Sequence, residues 1–211
     1  MSGRIAEQTV EAYLRGLASD DPTPGGGAVA ALSGATGAAL ISMVCNLTIG
    51  KEAYEGAQER MRWMLEEAET ARTEFLDLAD RDATAFDGVM AAFKMSKETD
   101  AEKAVRSKAI QAGYEAAARV PLEIAKRAAE LMELARETTE IGNAQAASDG
   151  ACAGQALASA VWCATYNVEI NAAALKDASK AQALRDEVSA LRASTAALLD
   201  ATNAAFTSRI A

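Results

Sequence analysis

There is no histidine anywhere in the 211 residues. That absence removes the Ser-His-Asp triad, the usual Cys-His dyad and metal sites that depend on imidazole. Proton transfer, if the chain performs any, falls to Asp, Glu, Lys, Tyr, Cys or water. Cysteine is scarce as well. Cys45, Cys152 and Cys163 form an odd set with no C-x-x-C pair. With no signal-peptide pattern ahead of them, they read as reduced thiols of a cytoplasmic protein, packed as small core residues. Positive charge is in deficit too. A net charge of −9 argues against nucleic acid or an anionic membrane as partner, so an anionic ligand must meet a local positive site. Aromatic residues make up only 5% and proline occurs three times. Between Asp21 and Lys51 there is no charge at all.

What is present is helix-forming material. Half the residues are hydrophobic, with alanine the largest contributor, which favours helices packed closely through small side chains. No strand pattern, repeat or linker interrupts the chain, so residues 1–211 read as a single all-α domain, an antiparallel helical bundle. Val10, Tyr13, Leu14 and Leu17 mark a first short helix. A second runs from about Gly27 to Leu47, with Gly34 and Gly37 suggesting close backbone approach. It is long enough to span a membrane, but Ala, Gly, Ser and Thr dominate it, and a helix buried in protein is the better reading. From Glu52 to about Phe93 one very long helix is expected. Thr99-Asp100-Ala101-Glu102 is a capping box for the next, which reaches Val120, where Pro121 either kinks it or starts another. That segment closes near Ile141-Gly142-Asn143. A second charge-free helix spans Ala151 to Val168, and a last one about Lys180 to Phe206. One globule of this size does not cover all these apolar faces, and a homodimer through the small-residue helices is the natural remedy.

Several residues carry candidate chemistry. Gly25, Gly26 and Gly27 lead straight into an apolar helix, placing bare N–H groups at the positive end of its dipole; the alternative is a tight packing turn. Asp82 interrupts the seam Phe75, Ala79, Phe86, Val89, Phe93. Burial there raises a carboxyl pKa and suits proton transfer, unless Arg72 or Arg106 pairs with it. Asp149 has the position of an N-cap. Lys51, just past Gly50, suits a helix C-terminus. Asn167 and Asn171, one turn apart, either pair across helices or read the amide edge of a heterocycle.

These landmarks together resemble the folate cyclodeaminase/cyclohydrolase family, which comprises the C-terminal half of formiminotransferase-cyclodeaminase and stand-alone methenyltetrahydrofolate cyclohydrolases. The matching segments are Thr23-Pro24-Gly25-Gly26-Gly27, Ser42-Met43-Val44, Leu47 to Lys51, Asp82-Ala83-Thr84-Ala85-Phe86 and Lys97-Glu98-Thr99. They continue with Val120-Pro121-Leu122, Gly142-Asn143, Ser148-Asp149 and Asn167 to Asn171. Ser96 stands where the family commonly has proline before the lysine.

The resemblance implies an all-α dimer acting on tetrahydrofolate derivatives without metal or other cofactor. It places Asp82 as proton carrier, with Asp149 as second acid or pterin anchor. Lys51, Lys97 and Arg106 would offset the glutamate tail. Gly25–Gly27 would supply main-chain donors, and Asn143, Ser148, Asn167 and Asn171 substrate contacts. The stand-alone chain favours a cyclohydrolase; the alternatives are a formiminotetrahydrofolate cyclodeaminase or a non-catalytic helical interaction protein.

Overall fold

The computed structural model describes residues 4–211. Among them there are six α-helices and no strand: α1 (Val10–Leu17), α2 (Gly26–Thr48), α3 (Gln58–Lys94), α4 (Asp100–Ile141), α5 (Ala147–Ala173) and α6 (Ala178–Ile210). Three helices, not one, are very long: α3 has 37 residues, α4 has 42 and α6 has 33.

The caps follow the local sequence. Thr99 and Glu102 exchange side-chain and backbone bonds in a complete capping box at α4. Asp177 accepts from the Ser179 and Lys180 amides to start α6. After α2, Gly50 takes φ +80°, the left-handed region that glycine enters without strain. The segment expected to begin α3, Glu52–Ala57, is instead a 3-10 turn with Tyr54 off helical geometry. Gln58 explains the turn. Its side-chain amide donates to the carbonyls of Tyr54 at 2.9 Å and Thr48 at 3.3 Å, and its Oε1 accepts from Gly50 N at 2.8 Å.

Pro121 neither breaks α4 nor starts a new helix; α4 runs through it. A proline there denies Ala117 O its intrahelical donor. Asn171 Nδ2 from α5 supplies the missing bond at 3.2 Å.

α2 and α5 lie antiparallel in the centre, with α3 beside α2, α6 beside α5 and α4 behind both. Small residues set the spacing. Gly34 receives the Phe75 ring, so a side chain fills that notch, whereas Gly37 meets both Leu157 and the Ala153 carbonyl oxygen, the latter 3.1 Å from where a Cβ would stand, which is the expected close backbone approach. Buried Phe75, Ile41, Met61, Met64, Ile124, Leu131, Met132 and Leu157 form the core. α2 is long and apolar enough to cross a membrane, yet most of it is buried against its neighbours.

The side of α2 and α5 turned away from α4 is uncovered. Along α2, Thr36, Ala39, Met43 and Leu47 are exposed at helical spacing; along α5, Cys152, Ser159, Trp162, Tyr166 and Ile170 are. Neither stripe contributes a charged side chain of its own, although Arg192 of α6 stacks over Trp162 at 4.8 Å and Tyr166 at 5.0 Å.

Candidate active site

At the N-terminus of α2 the chain comes in through Pro22-Thr23-Pro24 and turns at Gly25, which caps the helix with no side chain. Val29 N is the first amide of the helix to reach an acceptor there, Gly25 O. The preceding N–H groups therefore face outward at the positive end of the dipole. None of Gly25, Gly26 and Gly27 has positive φ, so their value is space. A methyl group on Gly27 would overlap the Asp82 carboxylate, and one on Gly26 would come within 2.8 Å of Asn167 Nδ2.

Asp82, on the second half of α3, thus lies directly against the first turn of α2. Neither proposed arginine pairs with it: Arg72 Nη2 bonds Glu69 at 2.6 Å, and Arg106 Nη2 donates to Phe93 O at 3.0 Å. Among the described residues no cation lies within salt-bridge distance of Asp82. Burial without a compensating charge pushes its carboxyl up to about 6.

The pocket around it has a volume of about 130 Å³ and is lined by Pro22, Thr23, the three glycines, Asp82, Phe86, Ala117, Asn167 and Asn171. Asn171 spends both N–H donors on the backbone, and Asn167 spends one. Asn167 Nδ2 bonds Cys163 O at 2.8 Å, and Asn171 Nδ2 bonds Asn167 O at 2.8 Å besides Ala117 O. With the amides so oriented, both side-chain oxygens are left for a ligand and suit the ring N–H and amino donors of a heterocycle, and Asn167 keeps one N–H beside them. A larger cavity of about 450 Å³ lies past Pro24, where Arg4 is held by Asp77 and Asp80, Asp80 also accepts from Ile5 N at 2.8 Å, and Asp87 has no ion-pair partner among the described residues.

The remaining candidates stand elsewhere in the chain. Lys51, Asn143, Ser148 and Asp149 gather at the opposite end of α2, a rise of roughly 33 Å away at 1.5 Å per residue. Asn143 is occupied there: its Nδ2 donates to Leu47 O at 3.1 Å, and its N–H to Thr48 Oγ1 at 2.9 Å. Asp149 is not the N-cap; Ala146 is, and Asp149 sits in the first turn, where an acid complements the dipole. Ser148 is exposed beside it, and Lys51 has no carboxylate partner among the described residues. Lys97 and Arg106 lie at the far tip of the α3–α4 hairpin. Arg106 stacks over the Phe93 ring at 5.5 Å, about 16 Å along α3 from Asp82.

Pro22, Thr23, Phe86 and Ala117 were not identified as pocket residues from sequence. Ala117 was within reach, since it lies one turn before Pro121 and owns the carbonyl that proline leaves free.

An unpaired, half-buried carboxylate facing a glycine-lined helix N-terminus and two amide oxygens defines a class of all-α site suited to acid–base chemistry without histidine; among the described residues no cluster of metal-binding side chains occurs. A sequence model of the formiminotransferase-cyclodeaminase family matches residues 9–190, and the chain belongs to that family. It is 41% identical over 191 residues to a methenyltetrahydrofolate cyclohydrolase of Methylorubrum extorquens, covering 90% of this chain and 92% of that protein. It is 33% identical over 187 residues to the formimidoyltransferase-cyclodeaminase of Rattus norvegicus, of which it spans 35%. The crystal structure of formiminotetrahydrofolate cyclodeaminase from Thermotoga maritima superposes with a TM-score of 0.87 at 27% identity, covering 98% of this chain and all of that one.

Proposed function

We propose that this protein is a methenyltetrahydrofolate cyclohydrolase, converting 5,10-methenyltetrahydrofolate and water to 10-formyltetrahydrofolate. The observation that carries the reading is the lone Asp82 carboxylate, poised near neutrality against Gly27. The near-complete mutual coverage with the Methylorubrum cyclohydrolase supports it.

The methenyl carbon belongs to a delocalised amidinium cation, so it is already electrophilic. The Asp82 carboxylate stabilises that cation and accepts a proton as water forms the new C–O bond. The neutral tetrahedral adduct then breaks its C–N5 bond. Asp82 returns its proton to N5, and the adduct hydroxyl loses its own to solvent as the formyl C=O forms on N10. One proton is released overall. The side-chain oxygens of Asn167 and Asn171 receive pterin donors. Lys97 and Arg106, at the hairpin tip, face the reach of the aminobenzoyl-glutamate arm. No cofactor takes part in this scheme, and the working form is a homodimer.

The cyclodeaminase is the second reading, favoured by the likeness to the Thermotoga enzyme. One paired assay decides. Loss of methenyltetrahydrofolate absorbance without ammonia release from 5-formiminotetrahydrofolate is the expected outcome. Ammonia release as the faster reaction would transfer the assignment to the cyclodeaminase.

A further inference from the structure

Helices seldom carry a proline in their interior, because it removes a main-chain donor and crowds the preceding turn. In α4 the acceptor so deprived, Ala117 O, belongs to a residue in the wall of the Asp82 pocket. Pro121 is itself buried and Ala117 only 6% exposed, so bulk water does not reach that carbonyl freely. The group that takes it is Asn171 Nδ2, from across the α4–α5 contact at 3.2 Å.

The same nitrogen donates a second time, to Asn167 O at 2.8 Å. A side-chain amide nitrogen carries two hydrogens, so Asn171 has no donor left. Turning its amide over would set Oδ1 against two carbonyl oxygens, neither of which can donate. Asn171 therefore has one workable orientation, and what it brings to the pocket it lines is an acceptor.

Asn167 is held differently. Its Nδ2 donates to Cys163 O at 2.8 Å, and Gly26 leaves room for it, since an added Cβ there would stand 2.8 Å from that nitrogen. One bond and a bare glycine seat Asn167. Two bonds seat Asn171, and the one to α4 exists because residue 121 is proline.

We infer that Pro121 is a positioning residue for the pocket: by freeing Ala117 O it fixes Asn171 as an acceptor and selects ligands that present an N–H donor there. For the identity of the ligand the inference rests on the folate reading, in which the ring and amino N–H groups of the pterin are the donors. Pro121→Ala would give Ala117 O a donor from within α4. Asn171 would then keep its Asn167 bond alone. Its freed N–H could turn toward the pocket, where a ligand donor would meet another donor in place of an acceptor.

The test is a double-mutant cycle read in KM. Pro121→Ala exchanges a helix breaker for a strong helix former, so α4 should persist, as circular dichroism checks. KM for methenyltetrahydrofolate should rise about five-fold, the worth of one hydrogen bond, with kcat within about two-fold of the wild type. Asn171→Ala should raise KM as well, and adding Pro121→Ala to it should change KM no further. An unchanged KM in Pro121→Ala overturns the inference. So does an equal rise in the presence and absence of Asn171, which would mean that the proline acts through the course of α4.

A second readout needs no turnover. By NMR of isotope-labelled protein, the side-chain amide hydrogens of Asn171 are identified as the pair of signals missing from Asn171→Ala. Both should exchange slowly with solvent in the wild type, and Pro121→Ala should speed one of them by about five-fold. Unchanged exchange of both hydrogens overturns the inference even where KM rises. Wild-type protein inert toward methenyltetrahydrofolate, with one Asn171 hydrogen released in Pro121→Ala, would defeat the functional reading and leave the positioning by Pro121 standing.

Discussion

Asp82 sits with its charge unanswered, and that has a cost in the folded state. Its carboxyl titrates near 6 in the fold, against 3.8 for an ordinary aspartate, because burial removes water and nothing replaces it. Between those values the native state holds more protons than the unfolded chain, so stability falls as pH rises through the window. Above about pH 6 the ionised group destabilises the fold by at most about 3 kcal/mol. Asp82→Asn should therefore raise the melting temperature at pH 7.5, and the gain should vanish near pH 4. A melting temperature lowered at pH 7.5 would mean that a cation holds Asp82 after all. On the same preparation kcat should drop by about two to four orders of magnitude with KM little changed. Activity of the wild type should fall as pH drops through about 6, since the protonated acid cannot accept a proton from water.

Gly27 tests the same contact from the other side. Gly27→Ala improves helix propensity by roughly 1 kcal/mol but drives a methyl group into the carboxylate. A kcat loss larger than any loss of thermal stability is expected. An alanine variant with normal kcat would mean the carboxylate moves freely, with no need of its seat on α2. The unusual placement of Asp82 was legible in the sequence because it broke a run of Phe, Ala and Val. Its solitude was less so. Arg72 has Glu69 one turn back and is taken by it, whereas the choice of Phe93 O by Arg106 depends on how α3 and α4 pack.

Among the elements, local signals were the dependable ones. The Thr99–Glu102 box, the Gly50 stop and the uncharged small-residue run of α2 are local features of the sequence, and each appears in the fold. Pro121 was ambiguous because its fate is decided by another helix. The carbonyl it frees, Ala117 O, is met by Asn171 across the α4–α5 contact. This also gives Asn171 a structural duty beside its place in the pocket. The two roles separate in a double-mutant cycle. Asn171→Ala should cost about 1 kcal/mol of stability in the wild type, the worth of a hydrogen bond. In a Pro121→Ala background the main chain supplies its own donor, and the cost should largely disappear. Equal costs in both backgrounds would show that Asn171 does not serve the proline.

At the scale of the whole molecule, the sequence grouped residues that a single chain holds apart. Gly25–Gly27, Asp82, Asn167 and Asn171 meet in one pocket, while Lys51, Asn143, Ser148 and Asp149 stand at the other end of α2 and Lys97 and Arg106 at a hairpin tip. Motif order along a chain carries no information about which end of a helix faces which. The homodimer of the proposed function, if closed through the exposed stripes of α2 and α5, makes a prediction about salt. Each copy carries a net charge of −9, so two copies repel over the whole surface. Ions screen that repulsion, whereas apolar burial across the uncharged stripes does not weaken with salt. Raising ionic strength from low to physiological should therefore tighten the dimer, as read by sedimentation at graded concentration. Met43→Lys, at an exposed position on the α2 stripe, should leave helix content unchanged and shift the protein to monomer at low micromolar concentration. Cys152 lies exposed on the α5 stripe and should react slowly with a thiol reagent in the dimer and quickly in the Met43→Lys monomer. Cys45, whose thiol burial pushes up to about 12, should react in neither. A wild-type chain that sediments as a monomer at all salt concentrations, with Cys152 fully reactive, would show that the uncharged face is not closed by a second copy.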